Sequence, residues 1–155
     1  MTHGPLHGVR VIDLTTAWAG PFGGRVLANL GADVIHVEAA TRMDLFRGGG
    51  HAIYPVRYPD LDPGDHPWNR TVMFNSQNHD KRSLCIDVKK PGGLEAMMRL
   101  VAYSDILLAN FTPGTLARMG LGLEVLRQVK LDIIVIEMPA FGLTGPMANN
   151  GGLGP

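Results

Sequence analysis

The stretch Gly8–Glu38, GVRVIDLTTAWAGPFGGRVLANLGADVIHVE, carries the clearest structural pattern in the chain. Its apolar run Val9–Leu14 is rich in β-branched residues, which is typical of a strand buried on both faces. Gly20-Pro21 then interrupts the run, and the proline suits the first position of a helix because its φ is already helical. Apolar residues recur at helical spacing as far as Leu30, and Gly31 is typical of a helix C-terminus.

An extended run resumes over Ala32–Val37, so the stretch is a strand, a helix and a strand within roughly 30 residues. This is a βαβ unit, whose two strands are parallel and whose crossover is right-handed. Three more strands are predicted, over Ser83–Val88, Asp105–Ala109 and Asp132–Glu137. Further helices are predicted over Leu94–Val101, from Thr112 as N-cap towards Arg118, and over Leu123–Val129.

These elements predict an α/β fold, a Rossmann-like open and mostly parallel sheet with helices on both faces. At 155 residues the chain fits one domain, residues 1–155. The periodicity is lost between Ala39 and Asp80, which predicts a long irregular insertion at about 39–80. We interpret it as a segment that contacts a ligand or a partner, and a disordered flap is the alternative. The chain ends in a glycine-rich loop directly after a predicted buried strand, so we expect a truncated domain.

Composition excludes several classes of function. The 14 Lys and Arg balance the 14 Asp and Glu, so no overall field favours nucleic acid or an anionic membrane. The single cysteine, Cys85, and the lack of a signal pattern predict the reducing cytoplasm. Apolar runs are far shorter than the ~20 residues that span a bilayer. The six histidines lack metal-ligand spacing, so no metal site is predicted.

Ligands of open α/β sheets bind beyond the carboxyl ends of the strands. The first such turn, Thr15–Gly24, lacks G-x-G-x-x-G, which leaves nicotinamide or flavin binding as a minor alternative. Glu38 stands where a ribose-binding acid belongs, but a lone carboxylate at a strand end is usually solvated. Trp18 either stacks on a flat ring such as adenine or covers the end of the core.

Cations near strand and helix ends are candidates for holding phosphates, because lysine offers a point charge and arginine a bidentate fork. They are Lys81-Arg82, Lys89-Lys90 and Arg118.

Six motifs occur in order along nearly the whole chain. They are L-x-G-x-R-V-I-D-L-T at Leu6–Thr15, A-G-P at Ala19–Pro21, L-A-N-L-G-A-D-V-I-H-V-E at Leu27–Glu38, N-x-x-K-R-S-L at Asn78–Leu84, D-I-L-L-A-N-F-T-P-G at Asp105–Gly114, and A-F-G-L-T-G-P at Ala140–Pro146. Together they resemble the N-terminal part of the family III CoA-transferases, the group of formyl-CoA transferase, carnitine CoA-transferase and α-methylacyl-CoA racemase.

The resemblance implies a lobe that holds the adenosine diphosphate end of coenzyme A, in a homodimer whose chains are interlinked. Carried over by position, the CoA-binding residues are Trp18, Ala19, Ile86, Asp87, Val88, Lys89, Asn110, Phe111, Thr112 and Arg118. Some members carry a basic residue after the second-strand acid, where this chain has Ala39, and some transferases carry a lysine at the position of Pro139. We therefore expect phosphate contacts to be fewer or to come from other residues.

The resemblance also implies that the catalytic carboxylate of the transferases lies beyond Pro155, so no residue of this chain is predicted to be catalytic. In that mechanism the carboxylate attacks an acyl-CoA thioester, giving a mixed anhydride and then an enzyme-bound CoA thioester. The predicted function is the N-terminal part of an acyl-CoA:carboxylate CoA-transferase, which takes a CoA thioester and a carboxylate as substrates. It acts in a homodimer or with a complementing second half.

Two alternatives remain open. One is a fragment of an α-methylacyl-CoA racemase, which moves a proton with an acid/base pair. The other is a non-catalytic module that binds a nucleotide or assembles a dimer.

Overall fold

The computed structural model describes residues 4–47 and 58–152. Within these residues five strands form one sheet: β1 (Arg10–Asp13), β2 (Asp33–Glu38), β3 (Arg82–Cys85), β4 (Ile106–Ala109) and β5 (Ile134–Glu137). The strand order is β3-β2-β1-β4-β5, and every neighbouring pair is parallel. The predicted open α/β sheet is confirmed.

The described helices are α1 (Ala19–Asn29), α2 (Val72–Asn78), α3 (Gly93–Ala102), α4 (Thr115–Arg118) and α5 (Leu123–Val129). Successive strand residues point to opposite faces of the sheet, and each face has its own apolar cluster. On one face Val11 and Val34 pack with Ala28 of α1. On the other face Ile12 packs with Met97 of α3 and with α5. Helices therefore cover both faces, as predicted.

The order of the strands reverses beside β1. The chain leaves β1 through α1 to β2 and continues to β3, and then crosses by α3 to β4 on the other side of β1. In sheets of this kind, the crevice at such a switch point, beyond the carboxyl ends of the strands, is where ligands bind.

The segment from 39 to 80 contains more regular structure than its sequence pattern predicts. Its described part includes α2 and three short 3₁₀ turns, at Leu45–Arg47, Pro59–Leu61 and Pro67–Asn69, while residues 48–57 lie outside the described ranges. The prediction of an irregular insertion is therefore wrong over α2 and these turns, and its role in binding stays a prediction. A helix as short as α2 is stabilised by packing, since Phe74 and Gln77 are buried.

Two predicted helix starts are also displaced. Helix α1 begins at Ala19, two residues before Pro21. Helix α4 begins after Gly114, whose φ is 73°. Gly114 takes this left-handed conformation without strain, so the helix starts beyond the reach of Thr112 as an N-cap. The Thr112 hydroxyl instead lies 3.1 Å from the Thr115 hydroxyl.

One buried ion pair joins the insertion to the sheet. The Lys81 ammonium donates to Asp13 Oδ2 at 2.7 Å, to the Pro21 carbonyl at 2.8 Å and to Asn78 Oδ1 at 2.8 Å. The Lys81 and Asp13 side chains are 1% and 0% exposed. All three ammonium protons are thus used, and β1, α1 and α2 meet at one nitrogen. A Cβ on Gly24 of α1 would lie 2.7 Å from Asp13 Oδ2, so only glycine leaves room for the pair.

The same geometry corrects the expected phosphate-binding cations. Lys81 is enclosed by the contacts just described. The neighbouring Arg82 pairs with Asp33 Oδ2 at 2.6 Å at the amino edge of the sheet. Neither cation is therefore available to a phosphate at the carboxyl edge.

We expect Lys81→Met to lower the free energy of unfolding by about 3–5 kcal/mol, because it leaves Asp13 buried without its cation. The matched control is Arg82→Met, whose side chain is 62% exposed and whose surface pair contributes about 0–1 kcal/mol. Urea unfolding of both variants at pH 7 measures the difference. Equal, small losses in the two variants would contradict this role of Lys81.

Candidate functional site

A cleft of ≈ 730 Å³ lies at the carboxyl edge of the sheet. The segments that follow β1, β2, β3 and β4 form its walls, so it spans the switch point. Its lining residues are Leu14, Thr16, Val37, Glu38, Ala39, Thr41, Arg42, Ile86, Asp87, Val88, Lys89, Met97, Asn110, Phe111, Thr112, Thr115, Arg118 and Met119.

Most of the residues predicted to bind coenzyme A meet in this cleft. Those that line it are Ile86, Asp87, Val88, Lys89, Asn110, Phe111, Thr112 and Arg118. Trp18 and Ala19 are outside the lining. Trp18 is 52% exposed, and its indole stands edge-to-face against Phe46, with ring centroids 5.9 Å apart. The binding role of each of these residues stays a prediction.

Asn110 bridges the switch point. Its side-chain amide donates to the Thr16 carbonyl at 2.8 Å and accepts from the Thr16 N–H at 2.9 Å. The end of β4 thereby holds the turn that follows β1. The side chain of Asn110 is a positioning group here, and its sequence position alone did not reveal that role.

A second clamp holds the same turn from the insertion. Asp44 accepts from the N–H of Ala17 at 2.9 Å and of Phe46 at 2.6 Å, and it is 2% exposed. Burial raises the pKa of Asp44 above its usual value, although these backbone hydrogen bonds oppose the shift. Asp44 was missed because it lies in the segment predicted to be irregular. An aspartate often accepts a hydrogen bond from the N–H two residues later, here that of Phe46, in an Asx turn. The sequence therefore does contain a local signal for Asp44.

Glu38 is enclosed by the insertion. The Arg47 guanidinium binds its carboxylate at 2.6 Å through Nη2 and at 2.9 Å through Nε, and the Asp44 N–H donates to it at 2.8 Å. Burial raises the pKa of Glu38, but these hydrogen bonds outweigh it and the pKa is lowered. The expectation of a solvated carboxylate is therefore wrong. The Glu38 carboxylate is paired with Arg47, and the guanidinium carbon of Arg47 also lies 3.6 Å from the centroid of the Phe74 ring.

His36 lies between two carboxylates beneath the cleft. Its ring is 2% exposed, with Nδ1 3.3 Å from Asp13 Oδ2 and Nε2 3.6 Å from Glu38 Oε2. Burial raises the pKa of Asp13, but His36 and Lys81 together lower it to about 2. Asp13 therefore stays ionised, and it also accepts from the N–H and the hydroxyl of Thr15.

The cations that remain in the cleft give it a positive excess. Arg42 and Lys89 form no side-chain hydrogen bond or ion pair within the described part of the chain, and Arg118 donates only to the Thr115 hydroxyl, at 2.7 Å. Among the acids of the lining, Glu38 is neutralised by Arg47, and Asp87 carries one charge. The cleft is therefore suited to an anionic ligand.

A smaller hollow of ≈ 440 Å³ lies at the amino edge of the sheet. Its charged residues already bind one another, since Arg10 Nε donates to Asp33 Oδ2 at 2.7 Å and the Arg10 N–H to Asp105 Oδ2 at 2.8 Å. Ligands of open parallel sheets bind beyond the carboxyl ends of the strands, whereas this hollow lies at the amino ends. The carboxyl-edge cleft is the better candidate.

In residues 4–47 and 58–152, no three His, Cys, Asp or Glu side chains group as a metal site. None of the helices described here is both long and apolar enough for a membrane span.

The depressed pKa of Asp13 predicts acid sensitivity with a definite sign. Its folded pKa of about 2 lies below the reference value of 3.8, so its stabilising contribution is complete above about pH 4 and is lost as the pH falls through 2. We expect about 2 kcal/mol of unfolding free energy to disappear in this window. NMR titration of the Asp13 carboxyl carbon, alongside urea unfolding at each pH, tests this. A midpoint at or above 3.8 would contradict it.

The turn before α1 stores backbone strain at Ala17, whose φ is 67°. This left-handed conformation costs an alanine roughly 1–2 kcal/mol of conformational energy, whereas glycine adopts it without that cost. We expect Ala17→Gly to raise the free energy of unfolding by about 0.5–1 kcal/mol after the larger unfolded-state entropy of glycine is subtracted. The control, Ala96→Gly within α3, is expected to lower it by about 1 kcal/mol. Chemical denaturation compares the two, and a loss in both would refute strain at Ala17.

Comparison with known proteins gives a consistent result. The sequence model of CoA-transferase family III matches residues 6–155. The succinyl-CoA–D-citramalate CoA-transferase of Chloroflexus aurantiacus is 37% identical over 97% of this chain and 34% of its own length. The succinyl-CoA:glutarate CoA-transferase of Mus musculus is 34% identical over 96% of this chain and 31% of its own length.

Solved structures agree in fold. A CAIB/BAIF family protein from Brucella suis superposes with a TM-score of 0.82 at 34% identity, over 97% of this chain and 37% of that one. A hypothetical protein from Mycobacterium tuberculosis, Rv3272, superposes with a TM-score of 0.77 at 33% identity, over 99% of this chain and 38% of that one. The chain spans about a third of the length of the curated relatives it matches. It belongs to CoA-transferase family III.

Proposed function

We propose that the chain is the N-terminal, CoA-binding part of an acyl-CoA:carboxylate CoA-transferase, and that the carboxyl-edge cleft holds the adenosine diphosphate end of coenzyme A. One observation carries the proposal. Three separate segments that the family resemblance assigns to CoA binding, Ile86–Lys89, Asn110–Thr112 and Arg118, converge on one cleft at the switch point of the sheet.

The chemistry of the cleft matches this ligand. Its volume falls within the roughly 300–1,000 Å³ of small-molecule sites. Phe111, Val88 and Met119 provide partly buried apolar surface for a purine ring. Lys89 and Arg118 offer cations for phosphate groups.

In this proposal no residue of the chain is catalytic. Its residues bind and orient the CoA thioester, and the carboxylate that attacks the thioester is expected beyond Pro155. That attack forms a covalent intermediate and divides one difficult acyl transfer into easier steps. The named relatives are CoA-transferases, which supports transfer over racemisation.

We further propose that the chain acts with a second copy of itself or with a complementing second half. The edge strand β5 exposes Ile134 at 55%, and Leu131 before it and Leu143 after it in the chain are exposed at 82% and 52%. An uncovered strand edge with apolar neighbours is a surface that proteins usually pair or cover. A cytoplasmic location remains a prediction, which the free thiol of Cys85 supports.

Titration calorimetry with coenzyme A tests the binding proposal. We expect Arg118→Ala to weaken binding by about tenfold or more, because a charge-assisted hydrogen bond to phosphate contributes roughly 1.5–3 kcal/mol. The matched control is Arg99→Ala, an exposed arginine in the last turn of α3, which is expected to bind as the wild type does.

Two outcomes would overturn the proposal. One is a folded wild-type chain that does not bind coenzyme A. The other is binding of AMP as tight as that of coenzyme A, with Arg118→Ala indistinguishable from Arg99→Ala, which would favour a non-catalytic nucleotide module.

A further inference from the structure

We propose that His36 is a positioning residue that carries a proton on both ring nitrogens and, as an imidazolium, joins the carboxylates at the ends of β1 and β2. This bridge fixes the turn after β1 and the start of the insertion in the arrangement that forms the cleft. The protonated ring follows from the fold alone, whereas its effect on coenzyme A rests on the proposed function.

His36 lies on the face of the sheet that α1 covers. Alternate residues of a strand share a face, so His36 follows Val34, which belongs to the apolar cluster under α1. The register of β1 and β2 places Asp13 directly beside His36. Glu38 comes two residues later on the same face of β2. This face therefore changes from apolar to charged at the carboxyl edge of the sheet, where the cleft lies.

The imidazole ring of His36 has a carboxylate on each side. Its Nδ1 lies 3.3 Å from Asp13 Oδ2, and its Nε2 lies 3.6 Å from Glu38 Oε2. The ring is 2% exposed, and neither nitrogen has a well-formed hydrogen bond to any other group among the described residues. A neutral imidazole has one N–H and one lone pair, so one carboxylate would face the lone pair with no proton between them. Only the imidazolium presents a proton to both carboxylates.

The buried charges around His36 balance when its ring is protonated. Each of the two carboxylates already has one cation, Lys81 at 2.7 Å on β1 and Arg47 at 2.6 Å on β2. Asp44 adds a third carboxylate, which is 2% exposed and accepts from backbone N–H groups. Among the described residues, three buried anions thus face two buried cations, and an unpaired buried charge is costly. A positive His36 supplies the missing charge.

The elements packed around the ring provide its other neighbours. Helix α2 places the Phe74 ring against it, with centroids 5.9 Å apart, and α2 contains no ionisable residue. Strand β3 places Ser83 opposite His36. Helix α1 has one ionisable side chain, Arg25, which donates to the Ser76 carbonyl at 2.7 Å. The protonation of the ring is therefore governed by the three carboxylates and two cations just described.

The two carboxylates that the ring joins also hold the backbone around the cleft. The carboxylate on β1 accepts from the N–H and the hydroxyl of Thr15, in the turn that follows the strand. Glu38 accepts from the N–H of Asp44, whose own carboxylate binds the N–H of Ala17 at 2.9 Å. A neutral His36 would release one of the two strand ends and loosen this turn. Because the ring loses its second proton as the pH rises, we expect the cleft to bind less tightly at alkaline pH than at neutral pH.

Nitrogen-15 NMR measures the protonation of the ring directly. At about pH 7 we expect both ring nitrogens of His36 to show the chemical shift of an imidazolium. The signal is assigned by its absence from the spectrum of His36→Lys. A ring with only one protonated nitrogen at this pH overturns the proposal.

Calorimetry with coenzyme A tests the positioning role. It compares the wild type with His36→Lys, which keeps a positive charge, with His36→Gln, which removes it, and with the control His66→Gln, an exposed histidine of the insertion. At about pH 7 we expect His36→Gln to weaken binding by about tenfold, His36→Lys by about twofold or less, and His66→Gln to leave it unchanged.

The pH profile separates positioning by a charge from simple packing. Between about pH 6 and about pH 9 we expect the affinity of the wild type to fall relative to that of His36→Lys, because lysine keeps its proton over this range. The ionisation of the ligand is common to both proteins and cancels from the ratio. Parallel profiles, or wild-type affinity in a folded His36→Gln, overturn the positioning role and leave the proposed function standing. Failure of the folded wild type to bind coenzyme A overturns the proposed function, and the NMR measurement still decides whether His36 is the bridging cation.

Discussion

The ion pair between Lys81 and Asp13 is the contact on which the arrangement of the carboxyl edge depends. Asp13 is the last residue of β1, and its carboxylate lies on the face of the sheet that α1 covers. A charge at this depth requires a partner, because desolvation costs several kcal/mol per ion. Lys81 supplies it and at the same time binds the Pro21 carbonyl and Asn78. Helix α2 and the entry to β3 are thereby fixed against α1.

The candidate cleft is formed by strand ends that polar side chains hold in place. Asn110 and Asp44 clamp the turn after β1 from opposite sides, and Arg47 covers Glu38. Because these groups satisfy one another, the charges left facing the cleft are mostly cationic. Buried charges are paired and position the backbone, whereas the exposed cations of the cleft lining, Arg42, Lys89 and Arg118, form no ion pair within the described residues and are available to a ligand.

The sequence predicted the regular layers well and the insertion poorly. Strands β1 and β2 and the termination of α1 before Gly31 follow from local periodicity and backbone preference, and Gly31 has the positive φ expected of it, 99°. The motifs also assigned a binding role to Ile86–Lys89, Asn110–Thr112 and Arg118, and all of these residues line one cleft at the carboxyl edge of the sheet. Helix α2, the burial of Lys81 and the enclosure of Glu38 were not predicted. Each depends on partners 9 to 68 residues away, which no local pattern encodes.

The sequence by itself determined the parallel α/β sheet, because burial on both faces and the strand–helix alternation leave few other arrangements. It also determined the family, through motifs spread over the chain. Only the tertiary structure decided which charged residues are free. Lys81, Arg47 and Arg42 are similar cations in the sequence, but the first two are consumed by buried carboxylates and the third faces the cleft. The physical reason is that the charge available to a ligand depends on which partners the fold brings within hydrogen-bond distance, and that distance is set by packing between segments remote in sequence.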